Sequence, residues 1–176
     1  PGLKKSGKYY HTQNTVCVRD ERFYISTMRT GLNLRHRGRL YAIDAIDDEL
    51  VEAWRYQFGS PSGASPLCMG ARIYFDGDYP KPTSSPDVEP TMFALKDNID
   101  SPELLWQYTA PSLRSIQASF ARDPRGGLWA YAVGDPLLRR FDKKTGEILQ
   151  QINTDSLIDE NRFHLAGSVM TIGGSE

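Results

Sequence analysis

The chain has 176 residues, enough to bury a sizeable core, and is nearly neutral, with 21 basic and 22 acidic residues. No charge block is long enough to suggest a tail for nucleic acid or a membrane surface, and the apolar runs are too short for a transmembrane helix. Eleven Pro and fifteen Gly, spread between short apolar runs, point to an all-β chain with many turns.

No signal peptide is visible, and the start at Pro1 reads as processed, engineered or truncated. Tyr9-Tyr10 beside His11 reads as a loop. Tyr is enriched at interfaces, so this loop is a candidate binding surface. Runs of β-branched and aromatic residues then predict strands at Thr15–Arg19, Arg22–Thr27, Arg39–Asp44 and Val51–Phe58. Four more follow at Ser65–Met69, Arg72–Asp76, Thr91–Lys96 and Leu104–Tyr108, and four more at Gln117–Arg122, Leu128–Val133, Leu137–Asp142 and Ile148–Ile152. Between the last two, Asp142-Lys143-Lys144-Thr145-Gly146-Glu147 predicts a hairpin whose turn is supplied by Thr-Gly. Asp155–Asn161 is the one helix candidate, worth a turn or two, and Leu165–Ile172 opens a fourth unit.

These runs are a repeat. Arg22-Phe23-Tyr24-Ile25 returns as Arg72-Ile73-Tyr74-Phe75, Leu40-Tyr41-Ala42-Ile43-Asp44 as Met92-Phe93-Ala94-Leu95-Lys96, and Ala53-Trp54-Arg55-Tyr56 as Leu105-Trp106-Gln107-Tyr108. A period of about fifty residues marks solenoids, propellers or arrays. Four antiparallel strands per unit describe a β-propeller blade, and one blade cannot bury both faces of its sheet, so neighbours must stack. Trp54 and Trp106 are expected to fill the wedge between blades. The chain therefore reads as one propeller segment with blade-like units at about 14–58, 64–108 and 117–152 and the start of a further blade at 164–176. Such a count does not close a ring of the usual four to eight blades. The favoured expectation is a fragment of a longer protein that self-associates through exposed blade edges. Two copies completing a ring, or termini pairing in a four-bladed ring, are the alternatives.

Cys17 and Cys68 are fifty-one residues apart on a fifty-residue offset, one step out of phase on equivalent strands. Period-two alternation points them to opposite sheet faces. Two buried thiols are expected, ahead of a disulfide, and the redox compartment is left open.

Ala42-Ile43-Asp44 followed by Trp54, Ala94-Leu95-Lys96 followed by Trp106, and Asp142-Lys143-Lys144-Thr145-Gly146 resemble the tryptophan-docking repeat of quinoprotein-type (PQQ-like) propellers, roughly Ala-x-Asp-x-x-Thr-Gly-x-x-x-Trp. The first two units carry two extra residues before the Trp and lack Thr-Gly. The third places Gln150 at the Trp position, and Lys96 replaces the Asp. The resemblance implies two functions. One is a non-catalytic scaffold, similar to the lipoproteins of outer-membrane assembly, exported to the periplasm or cell surface. The other is a piece of a quinoprotein dehydrogenase, using PQQ and calcium with an Asp base, its quinone stacked between a Trp and an adjacent Cys–Cys disulfide. No adjacent cysteine pair is present here.

Loops on a rigid scaffold carry function most often, and in propellers the second-to-third connections share one face. Met28–Gly38 is basic, with Arg29, Arg35, His36 and Arg37, and Asp76–Pro90 is acidic, with Asp76, Asp78, Asp87 and Glu89. The candidate ligand-binding residues are therefore Tyr10, His11, Arg35, His36, Arg37, Asp76 and Asp78. Against this stands the ordinary reading of solvated loops whose ion pairs contribute ~0–1 kcal/mol. Asp76-Gly77-Asp78 fails the EF-hand pattern because Pro80 and Lys81 follow. His11, His36 and His164 are too dispersed to share a metal, no phosphate-binding glycine loop occurs, and Gly59-Ser60-Pro61-Ser62-Gly63 is not a nucleophile elbow. A lyase or glycosidase would need paired carboxylates in a funnel, whereas Asp20, Asp123 and Asp135 read as turn residues. The expectation is a non-catalytic module that binds a protein, peptide or small ligand through its loop face, without evident cofactor, metal or nucleic acid.

Overall fold

The computed structural model describes residues 4–5, 8–11, 15–30, 38–58, 65–77, 91–109, 120–130 and 137–154. Among them the regular secondary structure is all β, in three antiparallel sheets. The first sheet holds β1 (Lys4–Lys5), β2 (Lys8–His11), β3 (Cys17–Arg19), β4 (Arg22–Thr30), β5 (Gly38–Ile46) and β6 (Glu49–Phe58). Its β3-β4-β5-β6 portion is a four-stranded blade, and the β1–β2 hairpin is added to β4. The second blade runs β7 (Leu67–Met69), β8 (Arg72–Gly77), β9 (Thr91–Asp97) and β10 (Pro102–Thr109). The third runs β11 (Ala121–Arg122), β12 (Leu128–Ala130), β13 (Leu137–Phe141) and β14 (Ile148–Asn153). The arrangement is that of blades of a partial propeller-like fold. The fourth unit at 164–176, the helix candidate Asp155–Asn161, and His164 lie outside the described residues, as do the predicted strand ends at 117–119 and 131–133.

Stacking follows from period-two alternation. One face of the first blade carries Tyr24, Leu40, Ala42, Trp54 and Phe58, and these pack against Ile73, Phe75, Phe93 and Leu95 of the second. The opposite face of the second blade carries Tyr74, Met92, Ala94 and Trp106, packed against Phe120, Leu128, Ala130 and Phe141 of the third. The middle blade is thus covered on both sides, and its β8 and β9 are buried almost continuously rather than on alternate residues. Aromatic pairs line both joints, including Phe75 stacked on Phe93 at 5.2 Å and Trp106 on Phe141 at 6.2 Å. Each such pair contributes ~0.5–1.5 kcal/mol beyond its buried area.

Three expectations change. The segment at Tyr10 and His11 is a strand rather than a loop: Tyr10 registers with Arg29 and His11 with Met28, because β4 continues to Thr30 and offers them an edge. The β5–β6 hairpin is also tighter than predicted. Both strands extend to a two-residue turn, Asp47-Asp48, with φ of 50° and 65°. Asp tolerates this left-handed geometry, so the turn forms without glycine.

The third change concerns the cysteines, which form a disulfide between β3 and β7 with Cα atoms 6.2 Å apart. Cys17 registers with Tyr24 and so lies on the face turned toward the second blade; Cys68 registers with Ile73 and lies on the face turned toward the first. Opposite faces of equivalent strands separate two residues within one sheet. Between stacked sheets they are the faces that meet, and the one-step phase difference brings the sulfurs together.

Candidate functional site

In an antiparallel blade the first-to-second and third-to-fourth turns fall at the same end. At that end of the joint between the first two blades sits a cluster of charge centred on Asp97, whose side chain has no exposed surface. Five donors converge on its carboxylate: Arg19 Nη2 at 2.8 Å, Arg22 Nη1 at 2.9 Å, the Tyr24 hydroxyl at 2.5 Å, the Trp54 indole N–H at 2.9 Å and the Ile99 backbone N–H at 2.9 Å. Arg22 also grips Asp44 through two parallel bonds of 2.5 and 2.7 Å, a geometry set by the direct pairing of Arg22 with Asp44 across β4 and β5. Arg19 donates in addition to the Gly70 carbonyl and lies over the Tyr24 ring.

Burial alone pushes the Asp97 carboxyl up, but bonds from Tyr24, Trp54 and Arg22 outweigh it and hold the group below the usual carboxylate range. Asp44 is likewise held low by its bond to Arg22. Burial, then the bond to Asp97, pushes the Tyr24 phenol well above its ordinary value. Each group is locked in its ordinary charge state, which suits a structural tie and not proton transfer near neutral pH.

The same place in the next joint is built differently. In register, Lys143 is the counterpart of Asp97, and the Tyr74 hydroxyl and Trp106 indole both donate to its backbone carbonyl, at 2.9 and 3.3 Å. Gly146, with φ of +74°, lies flat against the Trp106 ring; a Cβ there would come within 2.6 Å of Cδ2. Asp142 organises this hairpin by accepting from the N–H groups of Lys144 and Thr145, which hold its carboxyl low. Further out, the Tyr56–Phe93 aromatic pair of the first joint is replaced in the second by Arg139 over Tyr108, 6.0 Å from the ring centre. In the third blade Asp123 is buried and bonded by Arg140 and Arg125. Burial pushes its carboxyl up, yet these donors hold it low.

One backbone feature stands out. Ile99, a β-branched residue, has φ of +75°, a conformation such residues rarely adopt. Its N–H bonds Asp97 and its carbonyl accepts from Arg22 Nη1 at 2.6 Å, so the cluster fixes the backbone while the residue remains 67% exposed.

Of the residues singled out in the sequence, Arg35, His36, Arg37 and Asp78 lie outside the described residues. Tyr10 and His11 are consecutive residues of β2. Asp76 is not a loop residue: β8 continues through Gly77, which pairs with Thr91, and this leaves Asp76 fully buried opposite Met92. Asp20 is a turn residue as expected, with φ of 54°. The Asp97 cluster escaped sequence reading because its partners come from the preceding blade. The available signal was the pairing of Arg22 with Asp44, visible once the β4–β5 register is drawn. Among the described residues no group of three or more His, Cys, Asp or Glu is arranged to hold a metal ion, and no helix is long and apolar enough to cross a membrane.

Fold and cluster together define an all-β repeat protein of stacked blades tied at their turns. No protein-family model matches the chain, and no curated protein matches it.

Proposed function

We propose that this chain is a non-catalytic PQQ-like propeller module that recognises a protein, peptide or small ligand through its loop face and works in the periplasm or outside the cell. The observation that carries the reading is how the described acidic groups of the joints are used. Asp97, Asp44, Asp123 and Asp142 are engaged in ties within and between blades and held low, as befits a structural frame. Trp54 and Trp106 docking onto the following blade supports the repeat resemblance. The Cys17–Cys68 disulfide supports an oxidising compartment.

The runner-up, a piece of a PQQ-dependent dehydrogenase, fits the described residues poorly. A quinone needs an open indole face beside a vicinal disulfide. Trp54 and Trp106 are buried against neighbouring rings, and the disulfide joins cysteines of different blades. Titration with PQQ and calcium, followed by quinone absorbance, should show no uptake; saturable uptake would restore this reading.

The test of the binding role is selection of displayed peptides on the immobilised chain, followed by rebinding to a variant with Arg35→Ala, Arg37→Ala and Asp78→Ala. Selected peptides should lose binding while thermal unfolding is unchanged. Peptides indifferent to these changes would remove the loop face as the site.

A further inference from the structure

A second surface lies at the opposite end of the blades from the loop face, where the turns are. There the cost of a left-handed backbone at Ile99 would be smaller with Gly or Asn. What Ile adds is an apolar side chain that the fold does not bury, carried on a backbone fixed at both its N–H and its carbonyl. Strain maintained by a surrounding network, at an exposed position, is characteristic of a contact point. Ile46 and Val51 are exposed apolar residues of the neighbouring β5–β6 hairpin, at the same end of the blades. Both fall on the same face of the β5–β6 hairpin as Asp44, the carboxylate gripped by the arginine that also holds the Ile99 carbonyl, and they are 51% and 44% exposed.

Exposed carboxylates predominate in the turns around these three residues. Asp20, Asp47, Asp48 and Asp100 are exposed in the same turns. Arg19 and Arg22 are committed to Asp97 and Asp44, while Arg72 and Lys96 lie on the face of the second blade turned toward the third, where Lys96 pairs with Glu103. An apolar group among turns rich in exposed carboxylates repels nucleic acid and anionic lipid and attracts cationic groups carrying apolar ones. We infer that the turn face between the first two blades docks a partner polypeptide segment in which an apolar side chain is flanked by lysines or arginines, with Ile99 as the central anchor.

The probe is a short synthetic peptide of leucines flanked by lysines, with a glutamate-flanked version as control, titrated against the whole chain by calorimetry. The lysine peptide should bind, the glutamate peptide should not, and added salt should weaken binding. Ile99→Gly should keep or raise the unfolding midpoint, because Gly suits the positive φ, while weakening binding by about tenfold or more. The double variant Asp47→Asn, Asp48→Asn keeps residues suited to the turn; it should weaken binding and flatten the salt dependence. Arg35→Ala with Arg37→Ala should leave binding unchanged.

Absence of binding, or binding indifferent to Ile99→Gly, would overturn the inference. Loss of binding in the loop-face variant alone would overturn it while leaving the loop-face module intact. If Ile99→Gly alters self-association measured without peptide, the occupant is a second copy and the inference falls.

Discussion

At the scale of single residues the first joint depends on Asp97. Removing a partner from a buried ionic group leaves charge uncompensated, so Asp97→Ala should lower stability by ~3–5 kcal/mol in urea unfolding. The same residue sets an acid limit. Its folded-state pKa lies below the unfolded value of about 3.9. The stabilisation is therefore complete above that value and is lost as pH falls through the folded pKa. Unfolding measured across acid pH should show a shallower decline in Asp97→Asn than in the wild type; equal slopes would mean that other carboxylates govern the transition. Tryptophan positions were legible in sequence because they recur, and their docking role needed only the repeat. Asp97 was not, because its counterparts in register are Ala45 and Lys143, so no periodicity marks it, and its side-chain donors lie more than forty residues away.

Among elements, the hairpins decide how closely blades approach. Gly146 meets two demands at once, a positive φ and contact with the Trp106 ring. Gly146→Ala should cost at least ~1–2 kcal/mol from backbone strain alone, with a further loss from displacing the indole. A lowered melting midpoint together with a shifted tryptophan emission would report both. Strands and their order were readable from alternation, and the Thr-Gly hairpin from its turn residues. The Asp47-Asp48 turn was not, because hairpin reading looks for Asn or Gly, and two aspartates resemble a longer loop. The β1–β2 hairpin was missed for a related reason: Lys-rich, short strands carry no apolar alternation.

For the whole molecule, the disulfide spans a fifty-one-residue separation between the first two blades. Replacing both cysteines with serine should cost ~2–4 kcal/mol in denaturant unfolding. The variant should remain folded, since the aromatic joint and the Asp97 ties stay in place. The outer face of the first blade carries Val16 and Val18, 37% and 54% exposed. On the expectation that exposed blade edges pair between chains, light scattering should show mass rising with concentration, and a constant monomer mass would refute it. The error about the cysteines came from treating a stack as if it were a single sheet. The sequence states parity along a strand; which faces oppose one another is a property of three dimensions.

The two joints also differ in how they can change over generations. In the first, the acceptor for the Tyr and Trp of the preceding blade is a side chain, so one codon carries it. In the second, the acceptor is the carbonyl of residue 143, which any amino acid supplies. Drift at position 143 leaves that bond standing, whereas drift at position 97 removes the tie outright. A lineage carrying this chain can change the letter at position 143 and keep the bond, but is held to the one at position 97.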